Sequence, residues 1–73
     1  MAEEQAIETL KKIALDERKW GWEREQAIDA LLLFGEKSLG ALAEIADKGI
    51  FSWERERALA YIRRIKEGKT FRV

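Results

Sequence analysis

The groups in this sequence that could do chemistry are carboxylates, guanidinium groups and indoles. Glu23 with Glu25, and again Glu54 with Glu56, place two carboxylates two residues apart. Paired carboxylates are the tools of general acid and base catalysis and the ligands of hard cations. On a helix, however, residues two apart do not share a face. No calcium-type acidic loop, phosphate-cradling glycine loop or serine nucleophile motif accompanies them. Histidine and cysteine are both absent, which removes the commonest general base near neutral pH, imidazole and thiolate metal ligands, and disulfides. The sequence therefore nominates no catalytic, cofactor-binding or metal-binding residue, and the chain reads as a non-enzyme without a small-molecule substrate.

Two other sets point to binding. Trp20, Trp22, Phe51 and Trp53 stand at matching places in the two halves of the chain, and Trp is over-represented where proteins grip one another. Packing between helices and over loops explains the same residues and is the favoured reading, with Trp20, in a charged loop, the one to be exposed. The second set is basic. Arg57, Arg63, Arg64, Lys66, Lys69 and Arg72 lie near the C-terminus with Tyr61 and Phe71 close by, a composition able to contact nucleic-acid phosphates. A solvated helix surface accounts for them equally. The net charge of zero is unusual for a dedicated nucleic-acid binder. That neutrality hides a dipole: residues 1–36 carry nine acidic and five basic groups, residues 37–73 five acidic and nine basic. Such asymmetry suits an oriented partner or head-to-tail self-association.

These residues need elements to hold them, and the apolar spacing supplies four helices. Ala6, Ile7, Leu10, Ile13 and Ala14 recur at helical intervals over about 3–15, with Glu8 and Lys12 one turn apart on the other side. A second helix spans about 22–34 and stops at Gly35, suited to a left-handed cap. Its end, Ala30 to Phe34, is apolar on every side, so it is expected to be covered all round by the other three helices. The third, about 38–48, follows Ser38 as N-cap, buries Leu39, Leu42, Ile45 and Ala46, and ends at Gly49. The fourth, about 53–66, follows Ser52, buries Ala58, Tyr61, Ile62 and Ile65, and ends before Gly68. The tail 69–73 reads as a frayed terminus.

The helices repeat. Leu10 to Ala14 matches Leu42 to Ala46 at an offset of 32 residues, and Trp22 to Ile28 matches Trp53 to Leu59 at 31, with Leu15 as the extra residue. A period of this length carrying two helices marks helical-repeat architecture. The run Trp22-x-Arg24-x-x-Ala27-x-x-Ala30-Leu31-x-x-x-Gly35, then Leu39-x-x-Leu42-x-x-Ile45, resembles a HEAT-like repeat of the phycobilisome-lyase type. The second copy opens with Trp53-x-Arg55-x-x-Ala58 but departs at Tyr61 and at Lys66, where the family has alanine and glycine. The resemblance implies an all-α, antiparallel α-solenoid ordered half-repeat, full repeat, half-repeat, used mainly as a scaffold for proteins and in some branches for nucleic acids.

Independently of any family, Ala27 and Ala58 let helices approach closely while Leu31 and Ile62 fill the space between layers. Arg24 and Arg55 sit in first turns, where the helix dipole favours acids, so each is expected to reach an acidic partner, Asp16 and Asp47 first. At 73 residues the chain is one domain with a thin stability margin. It contains no long apolar run and no basic, apolar leader, which reads as cytoplasmic. The lack of asparagine and histidine with dense balanced charge fits a thermostable chain. The sequence thus reads as a small helical-repeat module binding another protein or itself, with nucleic-acid docking as the alternative.

Overall fold

The computed structural model describes residues 2–68. Four helices appear in it: α1, Ala2–Ala14; α2, Gly21–Leu32; α3, Leu39–Lys48; and α4, Ser52–Lys66. A single 3-10 turn, Gly35–Ser38, precedes α3, and no strand occurs among the described residues. The expected helix limits hold to within two residues. The tail 69–73 lies outside the described residues.

The helices pair as two hairpins. α1 packs chiefly on α2 and α3 on α4; between hairpins, α1 meets α3 and α2 meets α4, while α2 barely touches α3. The large contacts fall within α1/α2 and α3/α4, a division into two hairpins where the sequence led to an expected order of half, full and half units. Ile28, Leu31, Leu42 and Ile45 are fully buried, with Ala14, Ala27, Ala41, Ala58 and Ile65 around them. Each large aliphatic side chain removed from water contributes about 1.5–3 kcal/mol. Ala27 and Ala58 are both buried on the second helix of their hairpin, where a small side chain lets the neighbouring helix come close.

Coverage of α2 is less complete than its sequence suggests. Leu31 is buried, but Leu33 is 65% exposed, because the helix ends at Leu32 and Leu33 falls in the turn that follows. The expectation that α2 lies beneath three helices also fails: its contact with α3 is slight, and α1 and α4 supply most of its cover.

Helix ends are made differently from expectation. Ser38 precedes α3 but makes no capping bond; its hydroxyl donates to the Gly35 carbonyl at 2.8 Å. Phe51, not Ser52, stands at the N-cap of α4, and Trp20 holds that place in α2. Neither ring can accept a helix N–H, so the glutamate three residues on does the capping alone. Glu23 accepts from the Trp20 N–H at 2.9 Å and Glu54 from the Phe51 N–H at 3.0 Å. Gly35 (φ 61) and Gly68 (φ 74) are left-handed, so the glycine that sequence comparison missed at Lys66 is displaced rather than lost, following an α4 longer than α2.

Gly49 also ends a helix, but with φ −55, which any residue can adopt. Glycine is needed there for space. A Cβ at Gly49 would lie 2.7 Å from the Ile45 carbonyl oxygen and 2.9 Å from Arg55 Cγ, whereas at Gly40, inside α3, it would meet nothing within 4 Å. Gly40→Ala is therefore expected to stabilise the fold by about 0.5–1 kcal/mol by relieving backbone entropy. Gly49→Ala should destabilise it, because neither backbone nor the Arg55 stem can give way freely. Urea midpoints of the two variants, moving in opposite directions, are the check.

Candidate functional site: the inter-hairpin junction and its aromatic edge

Arg24 and Glu54 are the only charged residues buried among those described, at 4% and 0% exposure. Their placement follows from the helix starts. Glu54 is held in the first turn of α4 by the Phe51 N–H it caps with Oε1; its Oε2 accepts from Arg24 Nε at 2.5 Å. Arg24 also donates from Nη1 to the Lys19 carbonyl, in the loop before its own helix, and lies over the Phe51 ring at 5.4 Å. Both Glu54 oxygens and two of the three Arg24 nitrogens are thereby bonded, and no buried side-chain polar atom among the described residues lacks a partner.

The arginines were expected to reach Asp16 and Asp47. Instead Asp16 is taken by its neighbour Arg18, whose backbone N–H and guanidinium both donate to it, and these bonds hold the carboxyl below its usual range. Arg55 donates from Nη1 to the carbonyls of Gly49, 2.7 Å, and Ile50, 3.5 Å. Arg24 and Arg55 thus do the same work, each tying its helix to the loop five or six residues back. The expected Glu8–Lys12 pair is also replaced: Lys11 sits 3.2 Å from both Glu8 and Glu44, which raises its pKa, Glu44 contributing most.

A second cluster joins α2 to α4. Arg57 Nη1 lies 3.0 Å from Glu25 and from Asp29, and the Tyr61 hydroxyl donates to Asp29 at 2.6 Å. Burial, then the bond to Asp29, raises the phenol's pKa. Sequence reading missed both Glu54 and Asp29 as inter-hairpin acids. Both pairs place opposite charges on the facing sides of the two second helices: the acid is on α4 for Arg24 and on α2 for Arg57.

The four aromatic candidates lie along the edge where α2 and α4 begin. All are exposed, from Trp20 at 71% and Trp22 at 59% to Phe51 at 53% and Trp53 at 37%. Trp20 is the most exposed, as expected, but the favoured packing role is not what the structure shows. The junction between the hairpins covers two rings with arginines, Arg24 over Phe51 and Arg57 over Trp53 at 5.7 Å, and leaves the rest of the edge open. The basic candidates are divided. Arg63, Arg64 and Lys66 are exposed in the last turns of α4; Arg57 is engaged by two carboxylates; Lys69 and Arg72 lie outside the described residues. The carboxylate pairs Glu23/Glu25 and Glu54/Glu56 each split between capping and other faces, and no group of three or more acids among the described residues is placed to hold a metal ion.

No protein-family model, curated protein or solved structure matches this chain. Among the described residues, no helix is long and apolar enough to cross a membrane.

Removing one partner of a buried ion pair typically costs about 3–5 kcal/mol, since the other charge stays buried. Arg24→Met should lower stability by that order, enough to threaten a fold this small. Glu54→Gln keeps an acceptor for the Phe51 N–H, so Arg24→Met with Glu54→Gln should be more stable than Arg24→Met alone; chemical denaturation of the set measures the coupling.

A raised folded-state pKa means the native state holds its proton more tightly. The stability from Tyr61 is therefore complete below the ordinary phenol value of about 10 and is lost as pH rises through the higher folded value. As this is the only tyrosine, phenolate absorbance should titrate at higher pH in the native protein than in the denaturant-unfolded chain.

Proposed function

We propose that this chain is a short HEAT-like stack acting as a non-catalytic scaffold that binds another protein, in a cytoplasmic setting. The reading draws on two helical hairpins related by 31–32 residues whose second helices open with the same three devices. These are an aromatic N-cap residue, a glutamate capping its N–H, and an arginine tied to the preceding loop. The observation that carries the binding assignment is the aromatic edge. Trp20, Trp22, Phe51 and Trp53 are all exposed on one border of a domain whose core is made almost entirely of alanine and aliphatic residues. Aromatics anchored by arginine on an otherwise charged surface are the composition of interaction hot spots.

Nucleic-acid docking is supported by one observation, the exposure of Arg63, Arg64 and Lys66 together at the end of α4. It is weakened by Arg57, whose charge is already balanced by Glu25 and Asp29. The two readings separate in one pair of experiments. Under the scaffold reading, proteins cross-linked to the chain in extract from its source are lost with Trp20→Ala/Trp22→Ala and retained with Arg63→Gln/Arg64→Gln/Lys66→Gln. Fluorescence anisotropy with generic RNA and duplex DNA should show no binding at low salt. Binding that falls with salt and with the glutamine variant would favour the alternative.

A further inference from the structure

The junction between the hairpins has a direction. The front of α2, Arg24, Ile28 and Asp29, faces the rear of α4, formed by Glu54, Arg57, Ala58 and Tyr61. Shifted back by one period, that rear surface becomes Glu23, Gln26, Ala27 and Ala30 on α2, with Leu10 and Ile13 of α1 standing where Leu42 and Ile45 stand in α3. These six residues line an open groove of about 290 Å3 on the outer side of the first hairpin. Leu42 and Ile45 are fully buried in the second hairpin, whereas Leu10 and Ile13 are only half-buried.

Shifted forward by the same period, the front of α2 becomes Arg55, Leu59 and Ala60 on the outer side of α4. Leu59 corresponds to Ile28; Ile28 is 0% exposed and Leu59 44%. Arg55 already makes the loop bond that Arg24 makes, with its Nε left to donate. Glu23 already makes the N-cap bond that Glu54 makes, with its second oxygen left to accept. One end of the molecule is thus a knob and a donor, and the other a groove and an acceptor, of the same pattern as the internal junction.

We propose that these two ends bind each other between copies, so that the chain stacks head to tail, Arg55 to Glu23 of the next copy and Leu59 in its groove. The acidic first half and basic second half attract in this arrangement, and no like-charge pair is created at the Gln26, Ala30 and Ala60 positions. A heterologous contact of this kind propagates into an open series instead of closing at a dimer. The proposal rests on the two-hairpin repeat reading but uses the end faces, not the aromatic edge.

Sedimentation velocity of the full chain over a wide concentration range tests it. Dimers, trimers and longer species are expected to grow with concentration and to weaken with salt. Leu59→Asp, at an exposed site, should reduce association about tenfold or more while leaving thermal unfolding unchanged. Gln26→Arg/Ala60→Asp, both on exposed positions, copies the Arg57–Asp29 pair into the junction and should tighten association about threefold. A chain that stays monomeric in both wild-type and Gln26→Arg/Ala60→Asp forms overturns the proposal, as does a dimer that never grows. Association abolished by Trp20→Ala/Trp22→Ala and indifferent to Leu59→Asp would also overturn it, while leaving the aromatic-edge scaffold reading standing.

Discussion

The contact between Arg24 and Glu54 decides how the two hairpins sit on one another. Both charges are withdrawn from water, an arrangement that costs several kcal/mol per ion unless geometry and further hydrogen bonds offset it. Here each group has a second bond that holds its position independently of the pair. Glu54 caps α4, and Arg24 binds the loop before α2. The ion pair consequently links two helix starts whose orientations are already set, and the fit of Ile28 and Leu31 against the second hairpin follows from that register. A hydrophobic pair of the same volume would fill the space without selecting one sliding position along the helices.

The surface chemistry follows from the same junction. Arg24 spreads over Phe51 and Arg57 over Trp53, so the interaction that joins the layers also holds the aromatic edge in place. The remaining faces of those rings, with Trp20 and Trp22, are presented to solvent on rigid first turns. Phe51 and Trp53, each under a guanidinium, are thereby restrained at the start of their helix.

Most of the architecture was legible in the sequence. Apolar spacing located all four helices, and the 31–32-residue offset identified equivalent positions. What failed was pairwise detail. Arg24 and Arg55 were correctly singled out, but Asp16 and Asp47 are close only in sequence, and short-range proximity favoured the wrong acids. The true partner, Glu54, is one period away, on a face that helical spacing alone does not orient. Leu33 misled because a run of apolar residues reads as buried regardless of whether the helix continues beneath it. Gly49 was recognised as a stop for a conformational reason, whereas its role is to admit the stem of Arg55. The aromatic set was found, but its exposure depends on how far the neighbouring hairpin extends, which composition does not encode.

The division into two hairpins of about 31 residues also sets the size of the folding unit. Chains below about 40 residues rarely bury enough surface to fold alone without disulfides or metals, and this one has no cysteine to supply the former. Neither hairpin is therefore a stable body by itself. Native contacts within each are short-range and quick to form, so the late and decisive event is their mutual docking. Cooperativity in this protein is a property of the seam between its halves, not of either half.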